Sequence, residues 1–225
     1  MRTLCIFDLD GTLLDTLADL AAACNRALAE LGLPEHPEND YRFFIGKGMR
    51  ALMETIVPPG SPVSLIDDCA ARFAKHYQNN WRERTKPYPG VEELLARLAQ
   101  AGVGMAVLSN KPHEFTLLCV RHFLPAADFL RVFGLRDGYP RKPDPASALE
   151  LTQIAGLSPQ DCFFIGDSAI DIATGHNAQM KTIGVTWGFR GREGLKDSPA
   201  WHLVDTADEV YRLVAREVPH RGIYC

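Results

Sequence analysis

Two aspartates, Asp8 and Asp10, stand two residues apart in the segment Asp8-Leu9-Asp10-Gly11-Thr12, at the end of the apolar run from Thr3 to Leu9. Like charges about 4 Å apart repel by roughly 4 kcal/mol at an effective dielectric near 20. Two such acids therefore need a neutralising partner. A divalent cation is the simplest one, and an oxygen-only donor set suits magnesium. Gly11 allows the chain to turn sharply after the acids, and Thr12 offers a hydroxyl and an amide to an anion. An acidic turn that merely closes a strand would use the same residue types.

Three further groups could add to this chemistry. Ser109 and Asn110 follow the run Gly104 to Leu108, just where a helix is expected to begin at Lys111-Pro112. A strand end meeting a helix N-terminus is a natural phosphate site, although Ser or Asn also serves there as a simple N-cap. Lys142 lies in Arg141-Lys142-Pro143-Asp144-Pro145 and could reach a phosphoryl oxygen as a point charge. Asp167 ends the run Cys162 to Ile165 in Gly166-Asp167-Ser168, and Asp171 follows one helical turn later. Capping accounts for one of these acids, but less readily for both.

The elements that must position these groups alternate. Short apolar runs at Thr3 to Leu9, Gly104 to Leu108, Cys162 to Ile165 and Thr182 to Thr186 read as buried strands, with a weaker candidate at Phe129 to Phe133. Helical stripes lie between them: Val91, Leu94, Leu95 and Leu98 before Gly102, and Val210, Leu213 and Val214 further on. Strands alternating with helices predict an α/β fold, a Rossmann-like parallel sheet with helices on both faces.

The stretch 16–86 breaks the rhythm. Leu17, Leu20, Ala21, Cys24, Ala27, Leu28 and Leu31 form one amphipathic helix that stops at Gly32 and Pro34. Ser61-Pro62 reads as the N-cap and first turn of a second, long helix towards Trp81, with Leu65, Cys69, Phe73 and Tyr77 as its stripe. Lys86 to Gly90 then reads as a linker. The expected organisation is an α/β core of residues 1–15 and 87–225, with a small all-α domain, 16–86, inserted after the first strand. Every group singled out falls at the carboxyl end of a predicted strand or in the loop before a helix, the edge where open α/β sheets bind ligands.

Composition sets the limits. The chain has 225 residues, 46% of them hydrophobic, enough for a sizeable core, and a net charge of -4 that gives no reason to expect nucleic acid or an anionic membrane as partner. No apolar run reaches the roughly 18 residues a spanning helix needs, and Asp8 and Asp10 interrupt the first apolar stretch too soon for a signal peptide. Six cysteines form no CxxC pair. Five of them read as small core residues, which fits a reducing, cytoplasmic location. The histidines, His76, His113 and His122 among them, show no ligand spacing and read as structural.

Asp8-Leu9-Asp10-Gly11-Thr12, then a strand-end Ser109, a Lys142-Pro143 loop and Gly166-Asp167-Ser168 with Asp171, resembles in this order the haloacid dehalogenase superfamily of phosphotransferases. The likeness spans the chain. The segment from Asp8 to Pro34, the Ile45-Gly46-Lys47-Gly48-Met49-Arg50 stretch and Lys142 to Pro145 look most like its phosphoglycolate phosphatase branch, whose helical cap follows the first strand. One departure is Ala178-Gln179-Met180, where that branch usually has Ala-Gly-Met; altered local packing is the expectation there.

The resemblance implies roles. Asp8 would be the nucleophile, forming an aspartyl-phosphate that water hydrolyses. Asp10 would protonate the leaving oxygen and then activate the water. Magnesium would be held by the Asp8 side chain, the Asp10 backbone carbonyl and Asp167, with Asp171 behind them or bound through water. Ser109, Asn110 and Lys142 would hold the phosphoryl oxygens. The cap would read the leaving group, with Lys47 and Arg50 meeting an anionic tail, although a solvated basic turn explains these two equally well. The implied substrate is a small phosphorylated metabolite, 2-phosphoglycolate first, for a monomer or homodimer. A β-phosphoglucomutase-like transferase, or a phosphatase for pyrophosphate, sugar phosphates or nucleotides, shares the core motifs. A receiver domain phosphorylated on Asp would not place that Asp on the first strand ahead of a long helical insertion. A catalytically dead binding protein would not keep every polar group.

Overall fold

In the computed structural model, which describes residues 2–217, the chain forms a six-stranded parallel sheet with helices on both faces. In chain order the elements are β1 (Leu4–Phe7), β2 (Leu14–Asp15), α1 (Leu17–Glu30), α2 (Tyr41–Phe44), α3 (Met49–Ile56), α4 (Val63–Asn80), β3 (Lys86–Pro87) and α5 (Val91–Gln100). There follow β4 (Gly104–Pro112), α6 (His113–Phe123), β5 (Arg131–Leu135), α7 (Ala146–Ala155), β6 (Cys162–Gly166), α8 (Ala169–Asn177), β7 (Lys181–Val185), β8 (His202–Val204) and α9 (Ala207–Glu217).

The strand order is β5-β4-β1-β6-β7-β8, which puts β1 at the centre, between β4 and β6. Side chains alternate across the sheet, as a two-residue period demands. Cys5, Phe7, Met105, Val107, Phe163 and Ile165 pack on one face with Leu94, Leu98, Val210 and Val214 of α5 and α9. Leu4, Ile6, Ala106, Leu108 and Phe164 pack on the other with Ala148 and Leu151 of α7. Burial on both faces is why these strands read as unbroken apolar runs.

Several boundaries differ from expectation. Strand β1 stops at Phe7 because the Leu9 carbonyl turns to accept the amides of Thr12, Leu13 and Leu14. Strand β4 continues through Pro112, so α6 starts at His113 and not at Lys111. Strand β5 lies two residues later than expected, where Val132 and Phe133 align with Val107 and Leu108. Ser61 does not cap α4: its hydroxyl donates to the Pro58 carbonyl, and the helix begins at Val63 after Pro62. Short β8, on the sheet edge, carries too few residues for a period to show.

Helices α1 to α4 all lie between β2 and β3, which pair antiparallel, Leu14 with Pro87 and Asp15 with Lys86. The expected linker is thus half of a two-stranded ribbon. Asp19, 2% exposed in the first turn of α1, braces this crossing. It accepts the amides of Arg84 and Thr85 and the Thr85 hydroxyl, at 2.7 to 3.0 Å. Five cysteines are buried and free, and Cys225 lies outside the described residues.

Candidate active site

After β1 the chain makes a tight turn that only glycine permits. Gly11 has φ +88, and a Cβ there would lie 2.5 Å from Asp167 Oδ2. Gly188, after β7, approaches from the other side, where a Cβ would lie 2.2 Å from the Gly11 carbonyl oxygen. The loops after β1 and β7 thus meet closely at Gly11 and Gly188, both against the Asp167 side chain of the β6 loop, and the acids of β1 and β6 are brought together.

Carboxylate oxygens of Asp8, Asp167 and Asp171 lie within 4.8 Å of one another, and all three residues are buried. Asp8 is pushed up to about 7, chiefly by burial; Lys142 opposes the shift and Asp171 adds to it. Asp167 is held well above the carboxylate range, by burial first and then by Asp171 and Asp8. Lys142, 4% exposed, reaches Asp8 Oδ1 at 2.9 Å and Asp171 Oδ1 at 2.7 Å. Burial works against its charge, but Asp171 and Asp8 outweigh that cost and hold the ammonium above its ordinary range. Asp171 also closes a capping box on α8: its Oδ2 accepts the Ser168 hydroxyl and amide, and Ser168 stands as N-cap. Asp167 accepts the Phe189 amide at 2.8 Å. Three converging carboxylates and one lysine leave excess negative charge in a buried site, and these hard oxygen donors fit a divalent cation such as magnesium.

Asp10 turns away from that cluster. Its Oδ1 accepts the Thr16 hydroxyl at 2.7 Å and the Lys111 ammonium at 3.0 Å. Lys111 Nζ also donates to the Tyr77 hydroxyl at 2.8 Å, which ties the Asp10 side of the site to helix α4. Asp8, Asp10, Ser109, Asn110 and Lys111 line one end of a cavity. The rest of its lining is mostly apolar, with Leu20, Ile45, Met49, Leu52, Phe73 and Phe115.

Sequence reading named Asp8, Asp10, Ser109, Lys142, Asp167 and Asp171, and the structure brings all six to one sheet edge. Of the other four expected residues, Asn110 lines the cavity with its side chain committed to backbone partners, and Thr12, Lys47 and Arg50 are not on the cavity wall. Thr12 donates its amide to Leu9 and directs its hydroxyl towards Asp167 at 3.5 Å, so it serves the acidic cluster. The Asn110 side chain is spent as a pin: its amide group donates to the Gly46 and Lys142 carbonyls, and its Oδ1 accepts the Lys142 amide. Arg50 is exposed and pairs with Glu54 at 2.8 Å and with Asp67, outside the cavity. Lys47 is likewise exposed and off the cavity wall; only its carbonyl is engaged, accepting from Arg141. Sequence reading missed Lys111 and Tyr77. Carrying β4 past Leu108 would have put Ser109 and Lys111 two residues apart on one strand, which was the available signal.

The Ala178-Gln179-Met180 departure is conformational rather than a matter of packing. Helix α8 ends in a Schellman motif, with Met180 donating to the Gly175 carbonyl and Gln179 to that of His176. Gln179 therefore adopts φ 60, a backbone that favours glycine, with its side chain exposed.

Residues 5–185 match the model of the haloacid dehalogenase-like hydrolase family. The phosphoglycolate phosphatase of Pseudomonas putida is 36% identical over 209 residues, 90% of this chain and 76% of that protein. The phosphoglycolate phosphatase of Psychrobacter arcticus is 35% identical over 203 residues, covering 87% of this chain and 88% of its own. A solved structure of a candidate phosphoglycolate phosphatase from Lactobacillus delbrueckii subsp. bulgaricus superimposes with a TM-score of 0.88 at 31% identity, over 95% of this chain and 98% of the other. The chain therefore belongs to the haloacid dehalogenase superfamily, in its phosphoglycolate phosphatase-like branch. It is a phosphoric monoester hydrolase. Among the described residues no helix is long and apolar enough to cross a membrane.

Proposed function

We propose that the protein hydrolyses small phosphate monoesters, 2-phosphoglycolate first among them, with magnesium and through a phosphoryl group carried on Asp8. The observation that carries this reading is the convergence of Asp167, Asp171 and Lys142 on Asp8, which lines the cavity together with Asp10. The names of the similar proteins favour phosphoglycolate over other esters.

The side chains of Asp8 and Asp167 and the backbone carbonyl of Asp10 would hold magnesium, with Asp171 behind them. Bound there, the ion would offset the carboxylate charges and draw charge from the phosphoryl oxygens. Asp8 would attack phosphorus as the carboxylate, and the ester oxygen would leave with a proton from Asp10. Asp10 would then take a proton from water as that water attacks, releasing phosphate and restoring Asp8. Lys142 and Ser109 would hold phosphoryl oxygens, with Asn110 fixing Lys142 by its backbone. Residues 16–86 would be the cap that closes over residues 1–15 and 87–225 and excludes water. A cytoplasmic location fits five free, buried cysteines.

Asp8→Asn should abolish hydrolysis of an aryl phosphate while leaving thermal unfolding intact; substantial retained turnover would sink the nucleophile assignment. A screen over phosphoglycolate, pyrophosphate, nucleotides and hexose phosphates should release inorganic phosphate. Isomerisation of a hexose phosphate without release would select the mutase reading.

A further inference from the structure

Lys111 is a cation that the chemistry above does not use. It is 6% exposed and is the one Lys or Arg among the residues described as lining the cavity. The neighbouring cations lie off the cavity wall. Lys142 lies between Asp8 and Asp171, Arg42 donates to the Phe189 carbonyl, and Arg190 donates through Nη2 to the Ile45 carbonyl, with its Nη1 buried and unpartnered among the described residues. Arg50 pairs with acids outside the cavity.

The position of Lys111 is set from two sides. Its Nζ is 3.0 and 3.3 Å from the two oxygens of Asp10 and 2.8 Å from the Tyr77 hydroxyl. An ammonium has three N–H donors. One is shared across the Asp10 carboxylate and one goes to Tyr77, which leaves one for a ligand. Among the described residues no other cation lines the cavity, so an anionic group on a leaving alcohol has this ammonium as its charged partner.

The stereochemistry of a small ester then selects the ligand. Rested on the proposed role of Asp10, the ester oxygen lies within hydrogen-bond reach of that carboxylate. In a phosphate ester of a 2-hydroxy acid, the substrate carboxylate oxygens stay within about 3.5 Å of the ester oxygen, because only three bonds of ordinary length separate them. That places them within range of the cation already bound to Asp10, whereas Lys47 and Arg50 do not line the cavity. The same cation offsets the repulsion between the substrate carboxylate and Asp10.

We infer that Lys111, positioned by Tyr77, recognises a carboxylate on the leaving alcohol and makes the cavity selective for phosphate esters of small 2-hydroxy acids over neutral esters of equal size. This inference rests on the proposed phosphatase chemistry and deepens it.

The test compares kcat/KM for 2-phosphoglycolate and for ethyl phosphate, which lacks the carboxylate, in the full chain with magnesium. The wild type should prefer phosphoglycolate by at least about tenfold, the scale of one charge-assisted hydrogen bond. Lys111→Met should lower turnover of both substrates through Asp10, yet bring their ratio to within about threefold of unity, mainly by raising KM for phosphoglycolate. Lys111→Arg should restore part of the ratio. An equal loss on both esters, with the preference kept, would show that Lys111 acts only on Asp10 and overturns the inference. Wild-type hydrolysis of ethyl phosphate without preference overturns it while leaving the phosphatase reading standing. Failure on both esters overturns both. If Lys111→Met does not fold, Tyr77→Phe carries the test: the ratio should fall at least about twofold, and an unchanged ratio rejects the inference.

Discussion

Replacing Lys142 by methionine removes the ammonium between Asp8 and Asp171 while keeping most of the buried stem. At 2.9 and 2.7 Å each contact is worth roughly 6 kcal/mol of attraction at an effective dielectric near 20. Part of this is offset, because the variant no longer desolvates a lysine. Breaking a buried pair from one side typically costs about 3–5 kcal/mol. The cost must depend on pH. Asp8 stands at about 7 in the fold, above its ordinary value of 3.8, chiefly through burial. The native state therefore binds that proton more tightly than the unfolded chain, so its contribution is complete below about pH 4 and is lost as pH rises through 7. Without Lys142 the Asp8 proton is held more tightly still, and below that value protonation substitutes for the missing cation. Urea unfolding in chelator should show a deficit of about 3 kcal/mol near pH 8 and less than half of it near pH 5. Saturating magnesium should recover part of the loss near pH 8, because it binds the native carboxylates. A deficit below about 1 kcal/mol near pH 8, or the same deficit at both pH values, would refute this account of the buried ion cluster.

Gln179→Gly should stabilise the protein by about 1 kcal/mol, since φ 60 strains an L-residue and glycine adopts it freely; no rise in the urea midpoint would show the strain to be absent. Asp19→Ala should cost about 2–4 kcal/mol by stranding the donors of Arg84 and Thr85, with Asn retaining part of the loss because it keeps one acceptor. Equal stability of Asp19→Ala and wild type in urea would remove the brace. Arg50→Ala should leave KM for phosphoglycolate within about twofold of wild type, because the side chain faces Glu54 and Asp67; a tenfold rise would return Arg50 to the substrate.

The sequence by itself determined the buried strands of the sheet, though not its edge strand β8, and the nature of the chemistry. Strands buried on both faces must be apolar throughout, so the runs Thr3 to Leu9, Gly104 to Leu108 and Cys162 to Ile165 were visible, as were the polar groups at or just past their ends. It also showed α1 and α4, whose helical stripes pack into the core as expected apart from Ile66 taking the place of Leu65 in α4. What it left undecided depends on distances across the chain. Asn110 and Thr12 are the right residue types for an anion, yet their hydrogen bonds go to Gly46, Lys142 and Leu9, partners that only packing supplies. Arg50 and Lys111 are both cations near a glycine or proline turn. One faces acids on the outside of the helices, and the other is buried against Asp10 and Tyr77, 101 and 34 positions before it in the chain.

 Side-chain type and local period are written in the residues, but the direction a charge faces is set by which distant elements pack against it. In this protein that is decided where helix α4 meets the end of strand β4, at Tyr77 and Lys111.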